Sequence, residues 1–166
     1  MKYLGLIFVF VSCSGVGIVK SLEYTRSRDE LYAFILFVRF IKREVSFFLT
    51  RQKEIFMRFD NKTLEKLGFL ESLRKRDIDD EKSPLYYVLH DFENRLSICD
   101  DAKNILFEFA EGFGRISPNE QSEKCTAVIS ALEEIYKKTK EETSSGVKLC
   151  RTVGCVVGAL AVLLLM

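Results

Sequence analysis

The charges of this chain are confined to its middle, and that segregation limits the folds open to it. No residue from Tyr3 to Val19 is charged, and none from Thr152 to Met166. Apart from Lys2, every charge falls between Lys20 and Arg151. A single water-soluble globule does not need two such ends, whereas a chain that meets a bilayer twice does.

The middle is neutral overall, because the whole chain sets 25 Lys and Arg against 24 Asp and Glu. That balance excludes a nucleic-acid binder, which needs a basic surplus gathered on one face. Intrinsic disorder is excluded as well, because 14 Phe and 6 Tyr accompany almost no net charge.

As a helix, 3–19 is about 25 Å long, slightly short of the roughly 30 Å hydrocarbon core. Three readings stand: a retained span, a secretory signal cleaved near Gly15-Val16-Gly17, or a lipoprotein signal at Cys13. The other end, Leu149 to Met166, carries Arg151 as its only charge, and that residue can snorkel along its own stem. Nothing polar follows Met166, so little is expected beyond the membrane there. Lys20, Arg26 and Arg28 follow the first segment and Lys140, Lys148 and Arg151 precede the second, against Lys2 alone on the far side. The positive-inside rule then puts the middle in the cytoplasm. The expected organisation is a membrane segment at 1–20, a cytosolic helical domain at 21–146 and a transmembrane helix at 147–166. Gly154 and Gly158, four apart, remove bulk along one stripe of that last helix and suit close helix packing in lipid.

Within the middle, Leu31, Phe34, Ile35, Val38, Ile41, Val45, Phe48 and Leu49 repeat with helical period. The other side of the same segment carries Tyr32, Leu36, Phe37, Phe40 and Phe47, so this helix is either central or covered by a partner. Phe37, Phe40 and Phe47, with Glu44, are the candidate partner surface. Asn61 is placed to cap a helix through Leu64, Leu67, Leu70 and Leu73, weakened at Gly68. The mixed charges of 74–82, closed by Ser83-Pro84, read as a solvated loop. Two further stripes follow, Leu85 to Leu96 and Ala102 to Phe113, the second ended by Gly112 and Gly114. Ser117-Pro118-Asn119-Glu120 is a capping box with proline at the first helical position. Cys125, Val128, Ile129, Leu132 and Ile135 form the next stripe. The polar stretch 136–142 reads as a stalk toward the membrane, loosened at Ser144-Ser145-Gly146. No segment alternates with the two-residue period of a strand, so the fold class is all-α, an antiparallel helical bundle between two membrane helices.

No catalytic, metal or cofactor site is legible. The five cysteines form no C-x-x-C and share no spacing with a histidine. Cys99 and Cys125 read as small packing residues, and His90 lacks a nucleophile beside it. No phosphate-binding glycine motif is present.

Glu111-Gly112-Phe113-Gly114, Gln121 seven residues after Gly114, the helix after it, and Val153-Gly154 through Gly158-Ala159-Leu160 to the closing leucines resemble the stage III sporulation protein AB family of endospore-forming bacteria. Gly114 and Gln121 are the family-motif positions. Near the front, Glu44-Val45 with Thr50 is similar to the family's Glu-Ile and Thr-Pro-Leu, although Arg51-Gln52 replace Pro-Leu and the usual central Trp is missing. The resemblance implies a cytoplasmic bundle similar to that of the type II secretion and type IV pilus platform protein. It implies a non-enzymatic scaffold role, without cofactor, in a secretion-like channel complex of the mother-cell membrane around the forespore. The implied partners are other products of the stage III A operon, including a cytosolic ATPase and polytopic membrane subunits. The reading outside this family is an exported lipoprotein or signal-cleaved binding module tethered by its C-terminal span.

Overall fold

The chain is seen here as a computed structural model describing residues 2–48, 52–76 and 82–165, with side chains described for 22–46, 52–76, 82–144, 152 and 156. Among these the fold is all-helical: α1 (Lys2–Arg43) continued by a π-helical turn (Glu44–Phe48), α2 (Gln52–Arg58), α3 (Lys62–Leu67), α4 (Phe69–Lys75), α5 (Pro84–Phe92), α6 (Asp100–Gly112) and α7 (Pro118–Leu165). Two compact units result, one of Met1–Arg28 with Lys138–Met166, the other of Asp29–Lys137.

The unit Asp29–Lys137 is a helical bundle whose core is built on phenylalanine, in a chain without tryptophan. Leu31, Phe34, Ile35, Val38 and Ile41 of α1 are buried as the period requires, and so are Ala33 and Phe37. The inward side of α1 is therefore wider than one stripe. The Phe69 ring meets Phe34 edge-on at 5.2 Å and Phe92 at 5.7 Å, joining α4 to α1 and α5. Phe37 meets Phe59 at 5.0 Å and Phe56 at 6.2 Å. Such tilted and edge-on pairs are the favoured ring geometries.

Local signals set the boundaries. The Asn61 side chain accepts from the Thr63 and Leu64 amides, capping α3 as its sequence position predicts. The single helix expected through Leu73 is two helices instead. Gly68 adopts φ +82, ends α3 in a left-handed cap and begins α4, which is more than a loss of helix propensity. Arg74, read as the start of a solvated run, turns back and donates to the carbonyls of Phe59 at 2.6 Å and Phe56 at 3.4 Å. Lys75 is the last residue of α4, and 77–81 lie outside the described residues. Ser83 is buried; it accepts from the Tyr86 amide and donates to the Ala110 carbonyl at 2.5 Å, tying the start of α5 to the end of α6.

In the terminal unit Thr143 is buried, and its hydroxyl donates to the Tyr24 carbonyl at 3.4 Å. The loosening expected at Ser144-Ser145-Gly146 is absent: these residues lie inside α7. A glycine costs a helix only about 1 kcal/mol, too little to break one this long. Among the described residues no helix is long and apolar enough to cross a membrane. Most of 3–19 and 152–166 lies outside the residues whose side chains are described.

Phe69→Ala in the full chain removes the ring that joins three helices and should lower unfolding stability by about 3–5 kcal/mol. Denaturant titration followed by helical circular dichroism measures it. A loss below about 1 kcal/mol would show that the ring junction is not the centre of the core.

Candidate functional site

Of the residues singled out in the sequence, Glu44, Gly114 and Gln121 lie along one polar seam of the bundle. It runs between Glu44, Ser46 and Gln52 on one side and the turn from α6 into α7 (Phe113 to Cys125) on the other. A π turn inserts an extra residue into a helix and is frequent at functional positions. Here it carries Glu44, whose carboxylate is buried with 4% exposure and faces two guanidiniums: Arg58 at 3.5 Å and Arg43 at 3.6 Å. A carboxylate so placed needs its cations, because an uncompensated buried charge costs several kcal/mol. Ser46, two residues on, donates to Ser122 of α7 at 2.8 Å.

The opposite side of the seam is set by Gly114. Its φ of +80 belongs to the left-handed region, and a Cβ added there would lie 1.2 Å from the Gln52 amide nitrogen. The positive φ favours glycine, and a side chain there would also displace the Gln52 amide from its bond to the Phe113 carbonyl. Through that opening Gln52 donates to the Phe113 carbonyl at 3.3 Å, while the Gly114 amide donates to the Gln121 side-chain oxygen at 3.2 Å. Phe113 anchors the turn from beneath, its ring 5.8 Å from Phe56 and 5.5 Å from Phe109. Ser117 and Glu120 form the expected capping box: the Glu120 carboxylate accepts from the Ser117 amide at 3.1 Å, and the Ser117 hydroxyl accepts from the Glu120 amide at 3.3 Å. The spacing of Gly114 and Gln121 has a physical cause. A left-handed turn and a capped helix start put the amide of one beside the side chain of the other.

Gln121 is buried, and its amide nitrogen has no hydrogen-bond partner among the described residues. One turn on, burial pushes the Cys125 thiol up to about 11, outweighing the Gln121 amide and the Lys42 charge, which favour the thiolate. Cys125 is therefore a neutral packing residue. Cys99 is not: it is exposed at the start of α6, where its side chain makes no capping bond.

The expected partner surface is largely interior. Phe37 has 1% exposure and Glu44 lies beneath its arginines, because α1 and its π turn are covered from more than one side. Phe40 is half-buried, against Phe59 at 5.2 Å and with the Arg43 guanidinium 4.9 Å above its ring. The side chain of Phe47 and the surroundings of Gly154 and Gly158 lie outside the described residues. Gln52, Arg58 and Ser122 complete the seam and carry no sequence signal, since each looks like an ordinary surface residue. His90 is exposed, and among the described residues no group of three or more His, Cys, Asp or Glu is placed to hold a metal. What this arrangement does chemically is to fix direction: it locks the exit of α1 to the entry of α7.

Two measurements check it. Gly114→Ala should cost the full chain about 2 kcal/mol or more, part of which Gln52→Ala in the same chain restores by removing the clash while leaving the backbone strain. Equal stability of Gly114→Ala and the parent would contradict the turn. The raised thiol of Cys125 stays protonated in the folded chain up to about pH 11 but ionises earlier when unfolded. Its contribution to stability is full below the unfolded value and is lost as pH rises through the folded one. Cys125→Ala should flatten that alkaline loss, and in the native parent thiol reagents should modify Cys99 well before Cys125.

The model of the stage III sporulation protein AB family matches residues 2–166. No curated protein and no solved structure matches the chain. With the match spanning nearly every residue, the chain belongs to the stage III sporulation protein AB family.

Proposed function

We propose that this protein is a non-enzymatic, membrane-anchored scaffold subunit of the stage III sporulation channel complex, a secretion-like assembly in the mother-cell membrane around the forespore. The family match over 2–166 carries the reading. Two further features support it. The uncharged stretches 3–19 and 152–166 belong to one compact unit, as expected of a chain anchored by both its ends. The polar groups buried in the bundle go largely to holding turns in place, which is how a rigid platform uses them. The membrane segments are 1–20 and 147–166, the helical domain 21–146 faces the cytoplasm, and the partners are other stage III A products, a cytosolic ATPase and polytopic membrane subunits among them. In the second span Gly154 and Gly158 provide the close-packing stripe.

The exposed Cys99 is a built-in reporter of topology. With the other four cysteines replaced by alanine, a membrane-impermeant maleimide should label Cys99 only after the cells are permeabilised. Labelling of intact cells would place the domain outside and leave the exported, signal-cleaved or lipidated module in its stead. Gly154→Leu should weaken co-purification with the complex several-fold while leaving membrane insertion unchanged; undiminished recovery removes the stripe from the mechanism.

A further inference from the structure

The two units differ in charge. Residues 1–28 with 138–166 hold eight Lys or Arg against three Glu, a surplus of five, whereas 29–137 holds 17 basic residues against 21 acidic ones. The surplus is concentrated. Apart from Lys2, its cations are Lys20, Arg26, Arg28, Lys138, Lys140, Lys148 and Arg151, and its carboxylates are Glu23, Glu141 and Glu142. The buried Thr143 hydroxyl on the Tyr24 carbonyl sets these two stretches side by side. At 1.5 Å per helical residue, all seven cations fall within about 12 Å, along the helix axes, of that one contact. Lys138 and Lys140 are exposed, whereas Arg26 and Arg28 are also engaged within the protein.

We propose that this band binds the anionic phospholipid headgroups of the membrane that holds the apolar ends, an inference that rests on the membrane reading above. Continuity decides for lipid over free phosphate: the band borders the uncharged stretches directly, so it sits where headgroup phosphates form a plane. Attraction to an anionic surface decays within a Debye length of about 8 Å. Six of the seven cations, all but Arg151, lie within about that distance of its centre along the helix axes, so most of them share the same field. The interspersed Glu23, Glu141 and Glu142 moderate the binding without reversing its sign.

Native mass spectrometry of the full chain, purified in neutral detergent and offered equimolar phosphatidylglycerol and phosphatidylcholine, tests the proposal. Retention of phosphatidylglycerol should exceed that of phosphatidylcholine roughly tenfold, and K138Q with K140Q should cut the preference to roughly threefold or less. E141Q with E142Q should raise it, an opposite shift that misfolding cannot mimic. Excess inorganic phosphate should leave the bound lipid in place. Equal retention of the two lipids overturns the proposal, and displacement by phosphate reassigns the band to a soluble anion. A chain that stays in solution without detergent and retains neither lipid overturns the membrane reading, and the inference with it.

Discussion

A continuous series of phenylalanine contacts holds the bundle unit together. Phe92 of α5 meets Phe69 of α4; Phe69 meets Phe34 and Phe37 of α1; Phe37 meets Phe56 of α2; and Phe56 meets Phe113, which meets Phe109 of α6. Five helices are thereby joined through one run of rings, with tryptophan absent from the chain. Rings contribute large buried area with only two side-chain torsions to freeze, so a short helix such as the seven-residue α4 gains enough from Phe69, Leu70 and Leu73 to stay folded. Alone, a helix of that length would not persist in water.

Apolar contact fixes what lies inside but not the direction in which the chain leaves each helix, and the buried polar groups supply that. Ser83 ties the start of α5 to the end of α6 through the Ala110 carbonyl. The buried Glu30 carboxylate of α1 accepts the Ser97 amide at 2.7 Å and so holds the connection between α5 and α6. Arg95 donates to the Leu67 carbonyl at 3.1 Å, where α3 ends. Gln121 holds Gly114 at the start of α7. Ser83 and Glu30 are buried, and their desolvation is compensated only in one chain path, so alternative paths of similar hydrophobic content are disfavoured; Arg95 adds its bond from an exposed position.

Features written in a few neighbouring residues were legible in the sequence: the Asn61 cap, the Ser117–Glu120 box and the Gly112–Gly114 stop depend on local geometry alone. The all-α class followed from periodicity. What periodicity could not resolve was the orientation of a helix apolar nearly all round. Phe37 and Phe40 both lie off the main stripe of α1, yet Phe37 is core because Phe56, Phe59 and Phe69 reach it from α2, the chain after it and α4, whereas Phe40 meets Phe59 and keeps a solvent edge. Gly68 likewise reads as a weak point in one helix until the bundle requires a corner there. The seam was half legible. Glu44, Gly114 and Gln121 stood out through the family resemblance, but Gln52, Arg58 and Ser122 become partners only through tertiary contact.

That seam gives a glycine and a buried amide a structural part in where α7 points. From Pro118 to Tyr136, α7 runs about 27 Å, so a tilt of only about 5° at its start displaces Tyr136 by about 2.4 Å. The contacts at that end include the Arg39–Glu133 ion pair at 2.5 Å and the Tyr32–Tyr136 ring pair at 5.5 Å, beside the buried Leu132 and the partly buried Ile135 packed on the core. A displacement of that size separates the first and unstacks the second. The two pairs are partly exposed and individually weak, so the direction of the helix is held by the buried Cys125 and Leu132 along its length and, at its start, by the turn at Gly114, whose backbone conformation side chains rarely adopt. For the scaffold proposed above, whose output is the placement of surfaces, the turn at Gly114 would take the part that catalytic geometry takes in an enzyme.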